Sequence, residues 1–91
     1  MRAIIGDLLY DTKKAELMLS YREWKLDGNL LGVNMHSWHD MEMYKTPSGR
    51  YFLHDVQGKC ILIPSEDEIA DNYKKFDIDK YIEIYGGVEE A

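Results

Sequence analysis

His36-Ser37-Trp38-His39, followed at once by Asp40 and later by His54 and Cys60, gathers every imidazole and the one thiol of the chain into its middle. Imidazole nitrogen and thiolate sulfur are zinc ligands, and His-x-x-His chelates when a single helical turn carries it. In extended backbone, rings three residues apart point to opposite faces. The stretch reads as extended and its spacing matches no zinc finger, so no metal is expected, and His36, His39 and His54 read as surface or rim residues. Cys60 paired with a histidine base would make a nucleophile, but it opens the apolar run Cys60-Ile61-Leu62-Ile63, and a free cysteine there belongs to the interior. Glycosidase-type acids need a cleft, and the carboxylates near the C-terminus read instead as a solvated helical face. Thr46-Pro47-Ser48-Gly49 is a hairpin turn, and Gly86-Gly87 follows a helix, whereas a phosphate-binding glycine loop precedes one. These residues point to no enzyme and to no cofactor.

The elements that must carry them start with Arg2–Tyr10, a strand or tight hairpin about Gly6-Asp7. Asp11 and Thr12 can cap a short helical turn over Lys13–Glu16. Leu17–Trp24 fits two patterns, since Leu17, Leu19 and Tyr21 alternate as a strand does and Leu17, Tyr21 and Trp24 would share a helix face, and the strand is favoured; Lys25–Ser37, with Gly28, Asn29, Gly32 and Asn34, reads as a loop or an irregular strand. Met41–Lys45 and Arg50–Asp55 flank Thr46–Gly49 as a four-residue hairpin, and a turn at Gln57-Gly58-Lys59 leads into Cys60–Ile63, whose unbroken apolar run suits an inner strand. These make a three-stranded meander. Met41 and Met43 share one face and Glu42 and Tyr44 the other, so one of these sets can be fully buried. Pro64 ends the strand, Ser65 and Glu68 form a capping box for a helix to about Tyr73, and Asp77 caps a second over Ile78–Tyr85 before Gly86-Gly87. The expected fold is α+β: a small antiparallel meander with two short C-terminal helices packed on it, one domain over residues 1–91.

With 45% apolar and 12% aromatic residues in 91, the chain carries enough to fill one core and not two. Seven Tyr and two Trp against two Phe suit a thin core with a wet rim. The start lacks the apolar stretch of a signal peptide and no run approaches membrane-spanning length, so a cytoplasmic location, without membrane contact, is expected. The lone cysteine agrees with a reducing compartment. Charge is divided unevenly: residues 1–64 balance eight acids against eight bases, whereas residues 65–91 hold nine acids and three bases, the whole excess of −6.

Three blocks in order, Tyr10-Asp11-Thr12-x-x-Ala15-Glu16, then Met43-Tyr44-Lys45-Thr46-x-x-Gly49-x-Tyr51-Phe52-Leu53-His54, then Ile63-Pro64-x-x-x-Glu68, are similar to a pattern in small proteins of Gram-positive bacteria and their phages and plasmids. The likeness spans most of the chain and carries over no catalytic residue. The segment between the hairpin and the helix is shorter here. The resemblance implies a mobile-element setting, where proteins of this size often inhibit host defences, anti-CRISPR proteins among them.

The charge argues against direct nucleic-acid binding, which needs clustered Lys and Arg. The converse is attractive. Carboxylates on the C-terminal helices, Glu66, Asp67, Asp71, Asp77, Asp79 and Glu83, can stand in for phosphates in the cationic groove of a nucleic-acid-handling protein such as a CRISPR effector. The expected function is therefore a non-enzymatic protein-binding inhibitor. A second contact surface is open to Met35, Trp38, Met41, Met43 and Tyr44, most of which read as core. The alternative is a structural or regulatory domain that self-associates through exposed sheet edges, with no inhibitory role.

Overall fold

Gly6, at φ 62°, opens a two-residue turn that folds β1 (Arg2–Ile5) back on β2 (Leu8–Asp11) in the computed structural model, which describes residues 1–91. Past it, Asp11 takes the Lys13 N–H on its side chain and the Lys14 N–H on its carbonyl. That is one turn capped by Asp11, and it is shorter than the helical turn expected over Lys13–Glu16 because the chain enters β3 (Glu16–Leu30) at Glu16.

A second sheet runs β3, β4 (Val33–Lys45), β5 (Tyr51–Asp55), β6 (Cys60–Leu62), each strand antiparallel to the next. The meander thus has one strand more than expected, because β3 joins it along its whole length. Of the two forms expected for Lys25–Ser37 the chain takes the irregular strand, not the loop: β3 continues to Leu30 and β4 starts at Val33, with only Leu31 and Gly32 between them. The glycines and asparagines that read as loop serve a bulge between Leu26 and Gly28 and the tight turn itself. Cys60–Leu62 pairs with β5 alone and is an edge strand, not an inner one; Leu62 and Ile63 are exposed. The loop after β4 runs one residue further than expected, to Arg50, and Gly49 sits at φ 90° with its N–H on the Thr46 carbonyl.

Alternation assigns the two faces. Leu19, Met41, Met43 and Leu53 point to one side, where Tyr73 of helix α1 (Glu66–Phe76) completes a buried cluster with Ile69 and Tyr81 beside it. Phe52 and Ile61 point to the other, under Tyr10 of the β1–β2 hairpin. The molecule is therefore three layers: helices, four-stranded sheet, two-stranded hairpin. Met41 and Met43 win the buried side over Glu42 and Tyr44. In α1 the Ser65 hydroxyl accepts the Glu68 N–H at 3.2 Å. The helix outlasts its expected end at Tyr73 because Phe76 stacks on Tyr21, ring centroids 4.7 Å apart. Helix α2 (Ile78–Tyr85) starts where Asp77 accepts the Lys80 N–H and stops at Gly86, φ 60°. Its Tyr81 reaches the core cluster; no residue of α2 is itself buried.

Candidate protein-binding surfaces

Five of the six carboxylates expected to meet a partner, Glu66, Asp67, Asp71, Asp79 and Glu83, are exposed on the helical layer. Asp77 differs: it is half buried and its carboxylate is used as the α2 cap. Of the six, Glu83 alone has an ion pair, to Lys80 at 3.6 Å, while Lys74 lies over the Tyr81 ring instead of on an acid. Asp79 and Glu83 share α2 with exposed Ile78, Ile82, Ile84 and Tyr85. The surface is thus apolar ridges edged by negative charge, not a uniformly acidic one. An isolated helix of eight residues does not sustain itself in water, and this one leaves most of its apolar side chains uncovered.

The other surface lies along β3 and β4, on either side of the Leu31-Gly32 turn. β5 pairs with β4 only as far as Met41, and Val56 and Gln57 take up the Asp40 backbone, so beyond the Arg22–Asp40 pair β3 and β4 project as a two-stranded ribbon, an arm whose backbone edges are free. It accounts for much of the longest dimension, 48 × 38 × 19 Å overall. On the face turned away from the helices, Trp24 opposes Trp38 edge to face, centroids 5.4 Å apart, Trp24 stacks on His36, and the Arg22 guanidinium lies over Trp38. Both tryptophans are about half exposed, 56% and 51%. Leu26 continues this face, and Leu30, Val33 and Met35 are exposed at the tip. Of the second contact set expected from sequence, Met35 and Trp38 are exposed here, Met41 and Met43 are core, and Tyr44 stacks half buried on Phe52.

The arm is anchored at its root on the helix face. His39, 5% exposed, sits between two carboxylates: Nε2 is 2.5 Å from Asp27 and Nδ1 is 2.7 Å from Asp55. Asp55, 3% exposed, also accepts from the Lys25 ammonium at 3.0 Å and the Gly58 N–H at 2.9 Å. A side chain on residue 58 would place its Cβ 2.6 Å from that carboxylate, which is why glycine stands there. The Asp27 and Asp55 carboxylates raise the His39 pKa above the ordinary value, against the opposing effect of burial. An imidazole bonded to carboxylates at both nitrogens donates at both and is the imidazolium. The Ser37 hydroxyl and His39 hold Asp27 below the usual carboxylate range. Burial pushes Asp55 up, but Gly58, Lys25 and His39 outweigh it and bring it to about 2. Of the three histidines, His39 is buried and not at the rim as expected, with both nitrogens engaged, while His36 lies on the opposite face and His54 bonds Glu42 at 2.8 Å. Cys60 is half buried, opposite Asp55 in the β5–β6 register. The chain alternation of Arg22-x-Trp24-x-Leu26 and His36-x-Trp38-x-Asp40 was the signal for the arm; two facing period-2 runs joined through Leu-Gly lack the Asn-Gly or Asp-Gly that marks such turns.

Leu31 is the odd residue of that turn. It holds φ 52° beside Gly32 at φ 80° and is 96% exposed. A turn with both central residues left-handed favours Asn-Gly, and a branched aliphatic side chain there costs about 1 kcal/mol. Leu31→Asn is expected to stabilise the fold by about 1 kcal/mol, a rise of about 4–8 °C in Tm for a chain of this size, read in a thermal melt.

No protein-family model matches the chain, and no curated protein and no solved structure matches it.

Proposed function

We propose that the protein works by binding another protein, without catalysis, and that the helical layer is the surface it presents. The observation that carries this reading is α2, a helix with no buried residue whose exposed isoleucines alternate with Asp79 and Glu83. Exposed aliphatic anchors inside an anionic rim suit an apolar groove bordered by Lys and Arg, where desolvated contacts give affinity and charge gives register and on-rate. The sharper form names the partner as a nucleic-acid-handling protein whose cationic groove is occluded, as an anti-CRISPR protein from a phage or other mobile element would do to a CRISPR effector. What supports it is the concentration of the −6 charge in residues 65–91, together with the sequence resemblance.

Reversing Asp67, Asp71, Asp79 and Glu83 to Lys leaves both helix caps intact, since Ser65 and Asp77 are untouched. The expected result is at least a tenfold loss of inhibition of effector DNA binding, with wild-type inhibition weakening as salt rises. Inhibition that survives the reversal refutes the occlusion reading. Ile82→Asp, which spares every carboxylate, separates the apolar anchor from the charge. No helix is long and apolar enough to cross a membrane.

A further inference from the structure

The chain exposes 6680 Å², about 1,200 Å² more than the roughly 5,500 Å² expected of a folded monomer of its 10.7 kDa mass. Its radius of gyration, 15.1 Å, likewise exceeds the roughly 12 Å of a compact chain of this length. The excess matches what one protomer surrenders in a stable interface, about 800 Å² in a standard one and over 1,000 Å² in an obligate dimer. The arm is the part that makes the molecule long, and a two-stranded ribbon standing alone is marginal in water.

We infer that the Trp24–Trp38 face of the arm is covered by a second copy of this chain, packed about a two-fold axis. The face suits its own copy. It is flat and aromatic, and its only formal charges, Arg22 and Asp40, lie 3.7 Å apart and cancel, so two such faces meet without the repulsion that the net −6 imposes elsewhere. A two-fold axis also lets each Arg22 approach the other copy's Asp40. The helices lie across the sheet from this face, so the dimer would present two helical layers outward, and the inference stands independently of the partner proposed for them.

Both tryptophans of the chain sit in this face, so its emission reports on the arm alone. Light scattering and a dilution series should give a particle of twice the chain mass at high concentration, with tryptophan emission moving to the red as it dissociates. Trp24→Glu should raise the dissociation constant at least about 100-fold, because symmetry removes the anchor from both sides. Leu26→Lys, on the same face, should do so too, while the helical charge reversal should leave it unchanged. Thermal melts followed by far-ultraviolet circular dichroism keep loss of fold apart from loss of dimer. A wild-type chain that stays monomeric with red-shifted emission at every concentration overturns the inference. So does an open-ended ladder of species, which marks edge-to-edge pairing, and so does a chain that is monomeric alone yet captures a different protein through Trp24.

Discussion

An Asp55→Ala chain is expected to lose about 3 kcal/mol of stability, a fall of roughly 12–24 °C in Tm. The alanine removes the acceptor shared by Lys25, His39 and the Gly58 N–H, all within 3.0 Å of it. Breaking a buried pair by deleting one member costs more than the pair was worth, because the survivor stays in low dielectric uncompensated. Two escapes hold the figure to the lower end: Lys25 is partly exposed and can turn to water, and His39 keeps Asp27. The pH profile is the sharper readout. His39 binds its proton more tightly folded than unfolded, so its contribution is complete below about pH 6.5 and is lost as pH rises through the raised folded value. Asp27 and Asp55 are lowered, so theirs is present above about pH 4 and is lost as pH falls, for Asp55 toward about 2. Wild-type stability should therefore be highest between about pH 4 and 6.5. In Asp55→Ala both slopes should flatten, the acid one most. A variant whose denaturation midpoint tracks wild type at all pH values would show that the anchor is not made in solution.

Phe52→Ala should cost about 3–5 kcal/mol, as large as any single substitution in this chain. The ring is fully buried between layers, with Tyr44 stacked on one side at 5.2 Å and Tyr10 edge-on at 5.4 Å. It is what β1–β2 rests on, since that hairpin forms a separate sheet and shares no strand ladder with the rest. Amide hydrogen exchange should consequently rise first in Ala3–Tyr10, before the β4–β5 amides. Uniform loss of protection would mean that the hairpin and the sheet unfold as one unit. For a chain of this size the total stability is about 5–14 kcal/mol, so either substitution removes a large share of it.

Where local chemistry decides structure, the sequence was readable. Gly6 and Gly49 make their turns through positive φ, and Thr46, Ser65 and Asp77 accept nearby backbone N–H groups on their side chains, each where its residue type foretells it. The alternation of Met41 and Met43 against Glu42 and Tyr44 told that one side alone could be fully buried, and the fold gives that side to the methionines. Lys25–Ser37 was opaque because its turn is strained: Leu31 holds a left-handed conformation that its side chain disfavours, and the strand on either side exposes Trp, Leu and Met where an isolated strand would show polar residues. The edge position of Cys60–Leu62 depends on nothing following it in the sheet, a matter of topology that an apolar run does not encode. Of the candidate surfaces, the helical carboxylates were visible as charge, whereas the anchor of His39 between Asp27 and Asp55 joins residues from three strands and exists only once β3, β4 and β5 are in register.

Because the third strand stops at Met41 and the last tie to it, through His39 and Asp27, is made at the root, nothing beyond the Gly28–Met35 pair fixes how far the ribbon must extend. Removing or adding two residues on each strand beyond the Gly28–Met35 pair would change its reach by about 7 Å and keep every remaining side chain on its present side. A change of one residue per strand would invert what the new tip displays. The outer half of this molecule can thus vary in length in discrete steps during evolution or engineering, while the inner half, with its layered core and buried imidazolium, stays as it is.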